Sequence, residues 1–212
     1  MYKLYWSPGG ANMTPHAVLE ETDAPFELIK VDLDLGQQRD PKYLKLNPHA
    51  RVPTLVYDDD KVMYESAAIS LFLTERHPET RLAPLPGDPD RGPFLQWMAH
   101  LTNTVQEALM HYWHPDFYIE DARRQAELKQ AGEERAGRHF GFIDRQLAES
   151  GPFLCGSKLY VCDYFLAMLV RWTRLMATPA HTNPSLNTLV RAVMARPAYA
   201  RMLKAEGIEQ PV

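Results

Sequence analysis

A proline-rich segment divides this chain into two parts with different secondary-structure patterns. Residues 82–89 read Leu-Ala-Pro-Leu-Pro-Gly-Asp-Pro, and three prolines with one glycine predict a stiff, non-helical connector. Short strand-like alternations occur before this segment, and only helical periodicity occurs after it. We therefore predict an α/β domain over 1–81, a linker over 82–89 and an all-helical domain over 90–212.

Composition narrows the function classes. Of the 212 residues, 45% are apolar, which is enough to build a core. The net charge of −4 argues against nucleic-acid binding, which normally requires a basic face. No apolar run approaches the ~18 residues of a membrane span, and no leader-like start is present. The two cysteines, Cys155 and Cys162, favour a reduced cytoplasmic protein over a disulfide framework.

The first part of the chain alternates strands and helices. Residues 3–6 predict a strand, which leads through the turn Ser7-Pro8-Gly9-Gly10 into a helix ending near Glu21, with Asn12 or Thr14 as N-cap. Further elements follow in the order strand, helical turn, strand, strand and helix, at 26–33, 43–46, 54–57, 62–64 and 67–76.

The second part predicts only helices. Apolar residues recur at steps of three and four from Phe94 to Tyr112, which indicates one long amphipathic helix. The segment 164–172 is apolar nearly all round and is expected to be the central buried helix. The remaining helices are predicted over 121–149, over 186–194 and from there to Gly207.

Two short motifs in the first part offer backbone groups to a ligand. Proline cannot donate to a sheet ladder, so Pro53 at the start of a strand is expected to leave the N–H and C=O of Val52 unpaired. Glu65-Ser66 follows the next strand, and Ser66 is predicted to cap a helix whose N-terminus favours an anion. An open backbone pair, an anion site and an acid together suit a small γ-linked peptide such as glutathione.

Val-Pro followed by Glu-Ser at this spacing resembles the glutathione transferase superfamily, and the resemblance is closest to the bacterial beta class. The resemblance implies a cis bond before Pro53, with Glu65 and Ser66 holding the γ-glutamyl end. It also implies that the strand and helix order β-α-β-α-β-β-α is a thioredoxin-like N-terminal domain, followed by the all-α C-terminal domain. The segment 154–163 resembles the family's capping element, in which Tyr160 replaces the usual Ser/Thr and only the contact from Asp163 is expected to survive.

A transferase of this kind must stabilise the glutathione thiolate. Lowering a thiol pKa from about 8.5 to about 6.5 requires about 2.7 kcal/mol. One hydrogen bond to the anion contributes about 1.5–3 kcal/mol, and a helix N-terminus contributes up to about 1 kcal/mol more. One well-placed donor at the start of the first helix would therefore suffice, and no particular residue type is obligatory.

The usual beta-class partners of the thiolate are replaced in this sequence. Ala11 stands where the resemblance places a cysteine, and Gln106 stands where it places a histidine. The remaining donors are the Asn12 amide, which is the preferred candidate, and the Ser7 hydroxyl, with Tyr5 behind them. Each also has a structural interpretation, Asn12 as an ordinary N-cap and Ser7 as a solvated turn residue. Backbone N–H groups of residues 10–12 are expected to contribute.

The resemblance also implies a set of glutathione-binding residues, namely Gln38, Val52, Pro53, Glu65, Ser66, Asn103 and Gln106. The glycyl carboxylate is assigned to the polar residues near Gly36, namely Gln37, Gln38 and Arg39, with Arg51 as another candidate. Asn103 and Gln106 are expected to reach glutathione from the partner subunit of a homodimer, although polar residues on a half-exposed helix would look the same.

The aromatic residues near position 115 are expected to serve the second substrate. Tyr112, Trp113 and Phe117 are candidate walls of an apolar electrophile pocket, with core packing as the alternative. Glu107, His111 and His114 have helical spacing, but we expect no metal site there. No Cys-x-x-Cys occurs, which excludes thioredoxin-type dithiol chemistry.

The sequence thus predicts a cytoplasmic, dimeric glutathione transferase that uses glutathione as co-substrate and attacks an apolar electrophile, with no metal. Two alternatives stay open at this point. One is a binding protein of the same fold with little turnover, because the usual cysteine and histidine are missing. The other is a glutathione-dependent isomerase or dehalogenase, although the double-bond isomerases carry a serine- and cysteine-rich first loop that this chain lacks.

Overall fold

A computed structural model describes residues 1–210 and 212 of the chain, which group into two compact units. The first unit contains residues 1–83 and the segment that begins at Met194, and the second contains residues 84–193. The division falls between Ala83 and Pro84, within the segment 82–89 that was predicted as the linker.

The first unit is built on a four-stranded mixed sheet with the order β2-β1-β3-β4. Strand β1 is parallel to β2 and antiparallel to β3, and β3 is antiparallel to β4. The strands are β1 (Tyr2–Trp6), β2 (Phe26–Lys30), β3 (Thr54–Tyr57) and β4 (Lys61–Tyr64). The predicted strand over 26–33 ends early because Asp32 accepts the N–H groups of Asp34 and Leu35, which starts a turn.

Three helices alternate with the strands in the predicted order. The thioredoxin-like arrangement β-α-β-α-β-β-α is therefore confirmed. They are α1 (Met13–Glu21), α2 (Pro41–Leu44) and α3 (Ser66–Arg76). Helices α1 and α3 contact each other, and one face of β1 is buried at Tyr2, Leu4 and Trp6. Fully buried apolar side chains from these elements each contribute about 1.5–3 kcal/mol through burial; they include Leu4, Met13, Leu55, Ile69 and Leu73.

The second unit contains only helical elements within the described chain. The long helix predicted over 94–112 is present, but a π-helical segment, Leu101–Gln106, separates α4 (Arg91–His100) from α5 (Glu107–Trp113). The Thr102 hydroxyl donates to the carbonyls of Met98 and Ala99, which competes with regular helical hydrogen bonding. The remaining helices are α6 (Ala122–Ser150), α7 (Val161–Trp172) and α8 (Pro184–Met194).

Helix α7 is the buried centre of the second unit, as predicted, because every residue from 161 to 170 is buried. Its start uses the expected contact, since Asp163 accepts the N–H groups of Tyr160 at 2.8 Å and Leu154 at 2.9 Å. The Tyr160 hydroxyl does not cap the helix and instead donates to Asp90 at 2.9 Å. Among residues 1–210 and 212, no helix is long and apolar enough to cross a membrane.

The last helix, α9 (Pro197–Ala205), returns to the first unit and packs along α1. Arg196 forms a two-pronged ion pair with Glu21, at 2.9 and 3.0 Å, and Arg201 pairs with Glu20 at 2.6 Å. The predicted all-helical domain over 90–212 includes this helix, whereas the structure groups it with the first unit.

Candidate active site

Three segments of the first unit meet at the start of α1. The loop formed by residues 7–12, here called the 7–12 loop, contacts the first residue of α3, because the Ser66 hydroxyl donates to the Ala11 carbonyl at 2.5 Å. A methyl group built on Gly10 would lie 3.5 Å from a methyl carbon of Val52. The segments that the sequence singled out separately are therefore adjacent in the fold.

Three donors of the 7–12 loop make no hydrogen bond to the described residues, namely the Ser7 hydroxyl, the Ala11 N–H and the Asn12 N–H. The Gly10 N–H, one of the expected contributors, donates to the Ser7 carbonyl at 3.1 Å and closes a turn. Ser7 is 8% exposed and Ala11 is half-buried, so these two donors lie at the edge of the site next to the positive end of α1.

Asn12 is buried, and its amide is held at both ends. Its Oδ1 accepts the Ser7 N–H at 3.0 Å, and its Nδ2 donates to Glu206 Oε1 at 2.8 Å. It occupies the N-cap position of α1 but makes no capping hydrogen bond with its side chain. With 0% of its surface exposed, Asn12 could touch a ligand sulfur only after leaving these partners. Asn12 therefore joins the 7–12 loop to Glu206, and of the two side-chain donors only the Ser7 hydroxyl has no partner among the described residues.

Glu206 and His16, which were not among the residues predicted from the sequence, form part of this hydrogen-bond network. Glu206 follows α9, and its buried carboxylate accepts the Gly9 N–H at 2.9 Å and lies 2.9 Å from His16 Nδ1. Nothing local to position 206 indicates this contact, since an acid at a helix end usually faces solvent. The available signal was the pair Asn12 and His16, two polar residues four apart at the start of α1.

The segment around Val52 has the geometry that the sequence predicts. The Val52–Pro53 bond is cis, as the resemblance implies, and Pro53 is buried. The preceding carbonyl, of Arg51, accepts the Tyr43 hydroxyl at 2.6 Å and the Asn47 amide at 2.9 Å. Val52 itself makes no hydrogen bond through its N–H or C=O within residues 1–210 and 212. Its backbone can therefore pair with an extended peptide laid beside it.

The prediction that Ser66 caps α3 is wrong by one position. Glu65 occupies the cap position, Ser66 is the first helical residue, and its hydroxyl is used on Ala11 instead. Glu65 is exposed and has φ 74°, ψ 109°, which is uncommon for a residue with a side chain. Such conformations persist where surrounding structure enforces them, and they cluster at ligand sites.

The other predicted binding residues lie on other elements of the chain. Gln38 is on the connection between β2 and α2, where its Nε2 is 3.5 Å from the Leu33 carbonyl. Its Oε1 is buried with no hydrogen-bond partner among the described residues. Asn103, which is exposed, and Gln106, which is half-buried, lie on the π-helical segment of the second unit.

The aromatic residues assigned to the electrophile differ in exposure. Tyr112 is buried and donates to the Leu175 carbonyl at 2.9 Å, and Trp113 donates to the Trp172 carbonyl at the same distance. Phe117 is 50% exposed and stacks on His114, with ring centroids 4.6 Å apart. Tyr112 is therefore a core residue, and Phe117 is the accessible aromatic surface. The described residues contain no group of three or more side chains placed to hold a metal ion.

Together these features define a class of protein. A thioredoxin-like domain presents an unpaired main-chain segment at Val52, a helix start at Ser66 beside the acid Glu65, and donors in the 7–12 loop. This arrangement fits a short peptide that carries a carboxylate, an ammonium group and a thiol.

Comparisons with known proteins place the chain in a family. Two family models match it, "Glutathione S-transferase, N-terminal domain" over residues 1–75 and "Glutathione S-transferase, C-terminal domain" over residues 107–206. The chain belongs to the glutathione S-transferase family. The family models and full-length relatives support an enzyme with glutathione transferase activity and glutathione as co-substrate.

The similarity extends over the whole length of several relatives. Glutathione S-transferase GstA of Escherichia coli O157:H7 is 23% identical over 211 residues, covering 98% of this chain and 100% of that protein. The solved beta-class enzyme of Sphingomonas chungbukensis is 28% identical with a TM-score of 0.85, covering 97% and 99% of the two chains. A sphingomonad glutathione S-transferase complexed with glutathione is 30% identical with a TM-score of 0.84 and the same coverage.

Proposed function

We propose that glutathione binds to the first unit in an extended conformation across the three segments that meet at α1. Its cysteinyl main chain pairs with the N–H and C=O of Val52 in the manner of an added strand. Its γ-glutamyl carboxylate lies at the N-terminus of α3 beside Ser66, and its ammonium lies near Glu65. The thiol then reaches the 7–12 loop, because Ser66 and Ala11 are joined by a hydrogen bond.

In this proposal the Ser7 hydroxyl donates to the thiolate, with support from the Ala11 N–H and the N-terminus of α1. A hydrogen bond to the anion contributes about 1.5–3 kcal/mol and the helix end up to about 1 kcal/mol. Their sum reaches the ~2.7 kcal/mol that lowers the thiol pKa by about two units. Asn12 contributes to catalysis by fixing Ser7 through the bond to its N–H.

The remaining assignments complete the proposed reaction. The glycyl carboxylate binds near Gln38, whose Nε2 is held only by a 3.5 Å contact to the Leu33 carbonyl and can donate to an anion. Asn103 and Gln106 contact glutathione from the partner subunit of a cytoplasmic homodimer. The thiolate attacks an apolar electrophile that rests against exposed aromatic surface such as Phe117.

The observation that carries the binding proposal is the unpaired main chain of Val52 beside the Ser66–Ala11 hydrogen bond. Titration calorimetry with glutathione tests it in wild type, Glu65→Gln and Ser66→Ala. We expect both variants to bind glutathione at least tenfold more weakly. Glu65→Gln removes the charge that pairs with the ammonium, a contact of about 1.5 kcal/mol or more, and Ser66→Ala breaks the hydrogen bond that holds the 7–12 loop at the start of α3.

Ser70→Ala is the matched control for this titration. Ser70 is a fully buried serine one turn further along α3, and its hydroxyl donates to the Ser66 carbonyl rather than to the loop. Its loss should leave the glutathione affinity unchanged. Equal weakening in Ser66→Ala and Ser70→Ala would show that α3 stability, and not the bond between Ser66 and the 7–12 loop, determines the affinity.

A binding protein with little turnover is the second candidate. It is favoured by the burial of Asn12, which leaves Ser7 as the side-chain donor in the loop. Binding of glutathione without thiolate absorption at neutral pH would support it. Thiolate formation together with conjugation of an aromatic electrophile would support the transferase.

A further inference from the structure

We propose that Glu206 is a positioning residue for the thiolate site. It lies after α9, 194 residues beyond Asn12 in sequence, and it holds the 7–12 loop in the conformation that presents the Ser7 hydroxyl. The inference rests on the proposed placement of the glutathione sulfur at this loop.

Both oxygens of the Glu206 carboxylate are committed to hydrogen bonds. Oε2 accepts the Gly9 N–H at 2.9 Å, and Oε1 accepts the Asn12 amide at 2.8 Å and lies 2.9 Å from His16 Nδ1. The side chains of Glu206 and His16 are fully buried. Two of these three donors belong to the loop, so the carboxylate fixes the loop at two points.

The effect on Ser7 passes through Asn12. Glu206 orients the Asn12 amide by accepting from its Nδ2, and this orientation directs Oδ1 to the Ser7 N–H at 3.0 Å. The backbone of Ser7 is thus set by a chain of two hydrogen bonds that starts at Glu206. A displacement of about 1 Å at a reacting group lowers rates by up to about 100-fold, so this chain matters for the thiolate.

The carboxylate is itself held in place without the loop. Helix α9 is fixed on α1 by the ion pairs Arg196–Glu21 and Arg201–Glu20, one turn and more before Glu206. These pairs connect the same two helices but do not involve the 7–12 loop. They therefore supply a control that weakens the attachment of α9 while leaving the bonds to the loop intact.

The negative charge of Glu206 and its positioning of the 7–12 loop shift the pKa of the bound thiol in opposite directions. A buried negative charge near the site disfavours a thiolate, so its removal alone would lower the pKa of the bound thiol. Loss of position would raise that pKa, because the donors no longer meet the sulfur. Glu206→Gln removes the charge and also replaces a carboxylate oxygen that accepts a hydrogen bond from the loop. Glu206→Asp keeps the charge but withdraws the carboxylate from the loop by one methylene.

The experiment measures the thiolate absorption of bound glutathione against pH in wild type, Glu206→Gln, Glu206→Asp and the control Arg201→Met. In Glu206→Asp we expect the thiol pKa to rise by about one unit, from about 6.5 to about 7.5, and kcat/KM at pH 7 to fall about threefold with the thiolate fraction. In Glu206→Gln we expect a smaller rise, because the loss of the negative charge opposes it. Arg201→Met should change neither quantity. A lower thiol pKa in Glu206→Gln with no change in Glu206→Asp would overturn positioning, as would unchanged values in both.

Amide hydrogen exchange at Gly9 separates this proposal from the proposed function. Faster exchange in both Glu206 variants than in Arg201→Met is expected whether or not glutathione ionises. Should wild-type protein bind glutathione without ionising it, the proposed function fails and the Gly9 result still decides whether Glu206 holds the loop. Exchange at the same rate in all variants would refute that role.

Discussion

Replacement of Asn12 by alanine separates a structural role from a direct catalytic one. In the structure this side chain is fully buried, accepts the Ser7 N–H and donates to the Glu206 carboxylate. Alanine would leave a buried N–H without a partner, at about 1–3 kcal/mol, and would remove one donor from a buried carboxylate, at about 1.5–3 kcal/mol. We expect the free energy of unfolding to fall by roughly 3–5 kcal/mol.

Differential scanning calorimetry measures this loss of stability as a fall in the melting temperature. For a chain of this size each kcal/mol corresponds to about 2–4 °C, so Asn12→Ala should melt roughly 6–20 °C below wild type. Activity should fall in parallel, because Ser7 loses its fixed backbone. An Asn12→Ala variant that has the melting temperature of the wild type but cannot ionise glutathione would refute this reasoning and make Asn12 the direct donor.

Ser7→Ala provides the complementary measurement. The Ser7 hydroxyl makes no hydrogen bond within the described part of the chain, so its removal should leave the melting temperature unchanged. The pKa of bound glutathione should rise by about 1–2 units, which corresponds to the loss of one hydrogen bond to the anion. A large drop in melting temperature with normal thiolate formation would reverse the roles assigned to Ser7 and Asn12.

Three further predictions concern single features of the fold. Gly10→Ala would place a methyl group 2.7 Å from Asn12 Oδ1, and we expect a loss of about 1–3 kcal/mol in urea unfolding together with lower activity. Asp163→Ala leaves two buried N–H groups unpaired, so urea unfolding should show a loss of about 2–5 kcal/mol, with glutathione affinity unchanged in the folded protein. Burial lowers the pKa of His100 and His139 in the folded state, so the unfolded chain binds more protons and stability should fall as the pH drops below about 6.5. The double change of both histidines to glutamine should flatten that part of the stability profile, and an unchanged slope would contradict the assignment.

The fold was predictable because its signals are local. Prolines 84, 86 and 89 mark the division, and the switch from strand alternation to helical spacing needs only neighbouring residues. Val52-Pro53 and Glu65-Ser66 were likewise found from short motifs. The cap of α3 was misplaced by one residue, because the positive φ of Glu65 is imposed by its surroundings and not by its own preference.

The parts that could not be predicted depend on contacts between distant positions. Glu206 is buried because α9 folds back onto α1, and neither its neighbours in sequence nor its residue type indicate that. Asn12 has a good capping residue type, yet its amide turns away from the helix to meet Glu206. The π-helical segment at 101–106 lacks any glycine or proline that would mark it.

Titration of the thiolate absorption of enzyme-bound glutathione tests the central claim most directly. With wild-type protein saturated in glutathione, we expect the thiol to ionise about two pH units below its value of about 8.5 in water, and Ser7→Ala to cancel most of that shift. A bound thiol that ionises only at its ordinary pH in wild type would contradict the account of the 7–12 loop.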